Sequence, residues 1–304
     1  MIDIISKRYW FFLISGVAIL LSIIFLAVFG LKSGLEFSSG SSTTISFSQE
    51  VDPEALEEEL ANLGYGNSIV QTTGEGDFLI RTVYLTDEAK NQLEAGLADK
   101  FGTLTEKSFQ TIDPIIARQT SRTTIIALVA ATFVMLLYII FAFRRVPKSF
   151  RYGTTFTVAL VHDVLITTGV FSLLGVLAGW EIDLMFITGI LAVIGVSIDN
   201  TIVVFDRIRE NVRKGISPSF EVVANYSIVE TLTRCLNTTI TIVIVTVVLL
   251  LFVGGSIQNF VWVLLIGSLI GTFDSVFVAP SLLVVWEQGE WGRFIGRKPH
   301  PTRA

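Results

Sequence analysis

Six long apolar stretches divide the chain, and their length constrains the fold more than any other feature of the sequence. About 20 apolar residues in helical form can cross a hydrocarbon core of about 30 Å. The sequence therefore predicts a polytopic α-helical membrane protein with six transmembrane helices. The stretches cover approximately residues 9–31, 123–143, 152–178, 184–205, 235–253 and 257–286. The first is longer than a cleavable signal core, so we interpret it as an uncleaved helix.

The composition agrees with this class and disfavours several kinds of chemistry. Of the 304 residues, 51% are hydrophobic and only 16% are charged, whereas about 25% is usual in a soluble domain. A single cysteine (Cys235) excludes a disulfide framework, and two histidines (His162 and His300) lead us to expect no metal site. No phosphate-binding loop and no nucleophile–base set can be assembled. We expect no enzyme activity, no cofactor and no nucleic-acid partner.

One polar segment, residues 32–122, interrupts the apolar pattern and holds 15 acidic against 7 basic residues. Its alternating and helical spacings predict strands at 42–47, 68–73, 78–84 and 104–112, and helices at 53–63 and 86–101. Thr86 is a candidate N-cap of the second helix, and residues 74–76 form the predicted turn between the middle strands. The order βαββαβ predicts one ferredoxin-like α+β domain between transmembrane helices 1 and 2.

Basic and acidic residues alternate between the apolar stretches, which indicates the orientation in the membrane. Lys and Arg are concentrated at residues 7–8, 144–151 and 207–214 and in the tail after residue 286. The positive-inside rule then places both termini in the cytoplasm and the acidic segment on the opposite side of the membrane. We divide the chain into residues 1–31 (first helix), 32–122 (external domain), 123–286 (helices 2–6) and 287–304 (cytoplasmic tail).

Four titratable side chains lie inside the predicted spans: His162, Asp163, Asp199 and Asp274. A charge near the bilayer centre costs about 2.5–3.5 kcal/mol on insertion scales. Such residues usually face the interior of a helix bundle and mark a pathway for protons, ions or substrate. This pattern favours a transport function driven by an ion gradient.

Asp199 belongs to the motif at 195–211, where Gly195, Asp199, Val203 and Asp206 follow one helical stripe. Small residues, including Gly189 and Gly195, extend the stripe and would let another helix approach closely. We therefore expect Asp199 to lie on a packing seam, where burial and a nearby cation could balance its protonation. Asp206, next to basic residues, is expected to anchor the helix end.

Arg234 is the candidate cationic partner of Asp199. It belongs to a polar stripe with Thr231, Asn237, Thr238 and Thr241 on a helix that leads into the fifth span. Two interpretations remain open: Arg234 pairs with the acid, or it extends to the cytoplasmic interface as long basic side chains often do.

His162 and Asp163 are neighbours near the middle of the third span and point about 100° apart on a helix. Either they take part in proton handling, or the histidine is a hydrogen-bonded core residue. Asp274 follows Gly267 and Gly271, which form a small-residue packing face in the sixth span. It either transfers protons or accepts hydrogen bonds from Ser or Thr on a neighbouring helix.

Four segments together resemble the SecF branch of the SecD/SecF protein-export family, within the resistance-nodulation-division superfamily. They are residues 195–211, 152–167, 233–239 and the external motif with Gly34, Glu36, Phe37 and Gly40. Many relatives read Asn-Asp where this chain has Asp199 and Asn200, which moves the acid by one residue.

The resemblance implies a subunit that works with SecD and the SecYEG channel and uses the proton-motive force to draw preproteins outward. It assigns proton coupling to Asp199 and Arg234. One chain of six spans would need a companion of similar architecture. Two other hypotheses remain: half of a proton-driven exporter of small molecules or lipids, or a structural scaffold that moves no ions. The choice between H⁺ and Na⁺ as coupling ion also remains open.

Overall fold

The computed structural model describes residues 3–73, 76–144, 149–252 and 257–290. Parts of three predicted segments (the turns at 74–76, 144–151 and 254–256) and the tail from residue 291 lie outside these ranges. In chain order the elements are α1 (Arg8–Phe29), α2 (Leu35–Ser38), β1 (Gly40–Phe47), α3 (Pro53–Asn62), β2 (Ile69–Thr72), β3 (Phe78–Thr82), α4 (Asp87–Phe101), β4 (Leu104–Ile112), α5 (Pro114–Phe143), α6 (Ser149–Ala178), α7 (Leu184–Lys214), α8 (Phe220–Phe252), α9 (Gln258–Phe273), a π-helical turn (Asp274–Val278) and α10 (Ala279–Gln288).

The chain forms two compact units. The membrane unit comprises Met1–Lys32 and Leu128–Ala304, and the smaller unit comprises Ser33–Ala127. Within the described residues, six helices are long and apolar enough to cross a membrane: Ile5–Phe29, Pro114–Phe143, Phe150–Ala178, Leu184–Lys214, Phe220–Phe252 and Gln258–Gln288. The prediction of six spans and one α+β unit is confirmed.

The smaller unit is a four-stranded antiparallel sheet in the order β2-β3-β1-β4, as expected for a ferredoxin-like fold. Inward side chains of β1 and β3, such as Ile45 and Ile80, pack on Leu56 and Leu60 of α3 and on Leu97 of α4. The two helices begin at residues that cap them. Asp52 accepts a hydrogen bond from the Glu54 N–H, and Thr86 accepts one from the Ala89 N–H, as predicted for Thr86.

The external motif forms the short helix α2 and the entry into β1. Gly34 is buried at the helix start, and Glu36 and Phe37 are half-buried. Gly40 has φ +123°, and a Cβ atom there would lie 2.6 Å from the Thr82 carbonyl oxygen. Only glycine fits this position without strain, so the motif positions the first strand.

In the membrane unit, α7 packs against α6, α8 and α9, and α1 packs on α6. Small residues allow the closest approaches. A Cβ atom on Gly267 would lie 2.3 Å from Val193 Cγ2, and one on Gly189 would lie 2.7 Å from Val263 Cβ. Gly271 faces Ser197 across the same α7–α9 contact. The sequence analysis did not identify Gly169, which gives α6 its close contact with Ser22 of α1.

Gly195 differs from the other three candidate packing glycines. A Cβ atom at this position would have no neighbour within 4 Å. The prediction that Gly189 and Gly195 share one packing seam is therefore wrong within this chain, because they lie on different faces of α7.

Candidate functional site

The centre of the membrane unit contains a buried polar cluster formed by His162, Asp163 and Asp274, which we call the histidine–aspartate cluster. His162 is 5% exposed, Asp163 1% and Asp274 0%. His162 Nδ1 lies 3.0 Å from Asp163 Oδ1 and 3.7 Å from Asp274 Oδ1. The two neighbouring residues of α6 thus meet one partner from the last span, although a helix directs their side chains about 100° apart.

Serines on two other helices hold the cluster in place. Ser15 of α1 places its Oγ 3.1 Å from His162 Nε2, and Ser197 of α7 donates a hydrogen bond of 2.5 Å to Asp163 Oδ2. Both ring nitrogens of His162 and both carboxylate oxygens of Asp163 therefore have partners. The sequence analysis missed both serines, although Ser15 and Ser22 repeat at a spacing of seven along an otherwise apolar helix.

Asp274 has no such support. Neither of its carboxylate oxygens has a hydrogen-bond partner among the described residues. The alternative that Asp274 accepts hydrogen bonds from Ser or Thr on a neighbouring helix is therefore wrong. Asp274 begins the π-helical turn, a widened turn that is often found at functional sites. A buried carboxylate without partners is costly in its ionised form, so this group favours either protonation or an arriving cation.

A second hydrogen-bonded layer lies beside the cluster. Asn200 donates from Nδ2 to Thr272 Oγ1 at 3.3 Å, and Thr272 contacts Thr239 of α8 at 2.5 Å. Thr201 and Ser275 share a hydrogen bond of 2.7 Å. These contacts connect three helices through small hydroxyl groups, which can donate and accept in turn.

Three residues that could act as metal ligands come together in this cluster, although the sequence led us to expect no such group. The potential ligand atoms of His162, Asp163 and Asp274 all lie within 4.8 Å of one another. Counting histidines along the sequence did not reveal this group because it combines two distant helices. Since His162 already uses both ring nitrogens in hydrogen bonds, we interpret the group as a hydrogen-bonded cluster rather than a metal centre.

Asp199 lies outside the histidine–aspartate cluster. Its side chain is exposed, whereas the adjacent Asn200 is buried. The prediction that Asp199 lies on a packing seam is wrong within this chain, because the buried stripe of α7 runs through Ser197 and Asn200, and Asp199 points away from it. A one-residue step turns a helical side chain by about 100°.

Asp199 and the exposed Arg234 line the same groove between α7 and α8, which we call the polar groove. Its cavity volume is about 650 Å³. Among the residues that the structure describes, neither side chain forms an ion pair. Pairing of Arg234 with Asp199 remains a prediction, as does its extension to the interface.

The C-terminal part of α7 and the N-terminal part of α8 are joined by ion pairs. Arg207 Nε lies 2.6 Å from Glu230 Oε2, and Arg207 Nη1 lies 2.6 Å from Glu210 Oε2. Asp206 pairs with Arg209 one turn further along α7. This contact is consistent with the predicted role of Asp206 at the helix end.

In the smaller unit, Lys107 and Lys90 form ion pairs with acidic side chains. The Lys107 ammonium donates a hydrogen bond to the Asp77 carboxylate and lowers its pKa. The Glu106 carboxylate accepts a hydrogen bond from Lys90 and raises the pKa of that ammonium. Each pair joins a residue of β4 to a neighbouring part of the unit.

Residues 92–289 match the family model described as protein export membrane protein SecD/SecF, C-terminal. The chain belongs to the SecD/SecF family. It is 38% identical over its whole length to the protein translocase subunit SecF of Thermobaculum terrenum, covering 99% of that protein. It is 36% identical to the SecF subunit of Anaerolinea thermophila, with full coverage of both chains. Membership of this family favours the hypothesis of a protein-export subunit over that of a small-molecule or lipid exporter.

Solved structures of the family have the same architecture. The crystal structure of SecDF from Thermus thermophilus, titled a translocon-associated membrane protein, matches 94% of this chain with a TM-score of 0.80 and 26% identity. The match spans 38% of the SecDF chain. The chain is thus a multi-pass membrane protein of a family with a role in the Sec translocase, and the names of its relatives describe translocation rather than catalysis.

Proposed function

We propose that this chain couples the proton-motive force to the export of preproteins, together with SecD and the SecYEG channel. In this proposal it lies in the bacterial cytoplasmic membrane, with both termini in the cytoplasm and residues 32–122 on the outer side. The histidine–aspartate cluster is the observation that carries the proposal. Intramembrane titratable groups are costly and serve by default as functional sites.

The cluster has the properties that proton loading requires. Its three titratable groups are in contact with one another, so a proton on one changes the charge that the others experience. Asp163 and His162 are held by serines of α7 and α1, whereas Asp274, on a π-helical turn of the last span, has no hydrogen-bond partner among the described residues. A change in protonation can therefore shift the last span relative to α6 and α7.

The polar groove supports the proposed companion. Asp199 and Arg234 are exposed on helices that cross the membrane, and charged groups facing lipid are costly. A second membrane protein with polar groups of its own would cover them. Bacillus subtilis has a relative named SecDF, of which this chain matches 38%. That name joins both subunits in one protein, which favours SecD as the separate companion of this chain.

The energy available is sufficient for a conformational change. One charge that crosses a potential of 100 mV releases about 2.3 kcal/mol, enough to bias a two-state bundle about fifty-fold. The two conformational states therefore need to differ in free energy by only about this amount.

The experiment uses proteoliposomes that contain this chain, SecD and SecYEG, with and without an imposed proton gradient. We expect Asp274→Asn and Asp163→Asn to assemble normally and to lose the gradient-dependent part of preprotein translocation. Asp206→Asn, which removes an acid at the helix end, is the matched control and should retain it. Equal stimulation in all variants would contradict proton coupling and favour the scaffold.

A further inference from the structure

A cavity opens on the surface of the membrane unit, and the residues that line it include His162 and Asp274 of the histidine–aspartate cluster. It lies between α1, α6 and the last span and has a volume of about 490 Å³. Val158 and Val161 line it and are themselves 49% and 58% exposed, so its mouth faces the apolar surroundings of the helices. This volume is within the range of about 300–1,000 Å³ that is usual for small-molecule sites.

The wall of the cavity is mostly apolar, with Ile19, Leu165 and Leu282 on three different helices. Five polar residues also line it: Ser15, Thr155, Thr157, His162 and Asp274. Thr155 and Asp274 differ from the others in their hydrogen bonding. Both side chains are 0% exposed, and both oxygens of Asp274 and Thr155 Oγ1 lack a hydrogen-bond partner among the described residues. Three oxygen atoms without a hydrogen-bond partner in the described part of the chain thus belong to residues that line the cavity, just beneath its mostly apolar wall.

We propose that this cavity binds an amphiphile with a single alkyl chain and a primary ammonium group. A primary ammonium carries one positive charge and three N–H donors, which matches a carboxylate and a hydroxyl that are without partners. The alkyl chain would lie along the apolar wall and leave through the mouth toward lipid. A neutral lipid chain would fill the wall but leave the buried oxygens unpaired, at a cost in free energy.

The combination of a positive charge and N–H donors distinguishes this ligand from similar molecules. A quaternary ammonium with the same alkyl chain has the charge but no N–H donor. An alcohol with the same chain has a donor but no charge. His162, which lies 3.7 Å from Asp274, is already hydrogen-bonded through both ring nitrogens and leaves the carboxylate of Asp274 to the ligand.

The test uses the purified full chain in phosphatidylcholine nanodiscs, whose lipid offers no primary amine. The probe is decylamine with a photoreactive diazirine in its chain, and the labelled residues are mapped by mass spectrometry. We expect labels on α1, α6 and α10 around the cavity. Unlabelled decylamine should compete about tenfold or more better than decyltrimethylammonium or decanol, as expected for a charge-assisted hydrogen bond.

Two variants change the cavity in different ways. Asp274→Asn should weaken labelling about 10- to 100-fold. Gly16→Leu should block the cavity, because Gly16 lines it and a Cβ atom there has no neighbour within 4 Å. Two matched controls should keep the labelling: Gly195→Leu, at an open glycine on another helix, and Asp199→Asn, at an exposed acid.

Equal competition by decanol would show that a lipid chain occupies the cavity and would overturn the proposal. Labelling that survives both Asp274→Asn and Gly16→Leu would also overturn it. If Asp274→Asn fails to fold, Gly16→Leu still decides the outcome. Binding does not depend on the proposed function, so absent labelling with intact proton-coupled export would contradict this inference alone. Inhibition of export by decylamine, in contrast, would follow only if both proposals hold.

Discussion

The histidine–aspartate cluster and the polar groove contain the same kinds of residue at membrane-spanning positions, yet the chain buries one and exposes the other. Asp163 is 1% exposed and hydrogen-bonded to Ser197 of α7 and to His162 of its own helix. Asp199, 36 residues later on the next span, is exposed and forms no ion pair in the described part of the chain. The difference teaches that one of these sites is complete within the chain. The other is the site at which the proposal places a companion protein.

The largest expected effect contrasts Asp163 with Asp199. We expect Asp163→Ala to destabilise the purified chain by about 3 kcal/mol, because it leaves Ser197 and His162 without their partner in the bundle core. Asp199→Ala should change stability by less than about 0.5 kcal/mol. Thermal unfolding in one detergent measures both. Equal destabilisation would remove the distinction between the two sites.

Two glycines of the small-residue pattern provide the next contrast. Gly267→Ala should cost about 1–3 kcal/mol, because the new Cβ atom would overlap Val193. Gly195→Ala should leave stability unchanged or slightly raised, since the position is open and alanine favours a helix. The same unfolding assay applies. If Gly267→Ala did not lower the stability, α7 and α9 would pack less closely than the structure indicates.

A smaller effect is expected at the groove itself. Asp199→Asn and Arg234→Ala should each weaken copurification with SecD several-fold, since polar contacts between membrane helices contribute about 0.6–2 kcal/mol. Asp163→Asn is the control and should copurify normally, because its side chain faces the interior of this chain. Unchanged copurification of both groove variants would return Arg234 to the interpretation in which it extends to the interface.

These contrasts also show how far the sequence could predict the molecule. Hydropathy and charge are properties of whole segments, so the six spans and the βαββαβ unit followed from them directly. The face of α7 that packs against the rest of the chain could not be predicted in this way. Small residues mark both of its faces, Gly189 toward α9 and Gly195 toward an open surface, and periodicity alone cannot say which face the chain itself covers.

The set of residues that forms the buried site could not be predicted from the sequence either. The sequence identified His162, Asp163 and Asp274 one by one, but their contact depends on how two distant helices pack and on the π-helical turn that begins at Asp274. The serines that hold the cluster carry no signal stronger than their spacing in an apolar helix. Tertiary packing, rather than local pattern, selects these partners.

The smallest expected effect concerns the α+β unit, where Lys107 forms an ion pair with Asp77. Lys107 lowers the pKa of Asp77 below its unfolded value, so the pair stabilises the folded unit above the unfolded pKa. This stability is lost as the pH falls through the lower, folded pKa. Asp77→Asn should therefore flatten the acid side of the stability profile of the full chain, measured by circular dichroism. An unchanged profile would contradict the assigned pair.

The central claim is that buried carboxyl groups of the histidine–aspartate cluster change protonation when a proton gradient acts on the protein. Difference infrared spectroscopy of the carboxyl C=O band, recorded on the chain in liposomes with SecD across an imposed pH step, tests it most directly. The account predicts a band change that disappears in Asp274→Asn and Asp163→Asn and persists in Asp206→Asn. A band change that is the same in all three variants, or absent from the unmodified chain, would contradict the account.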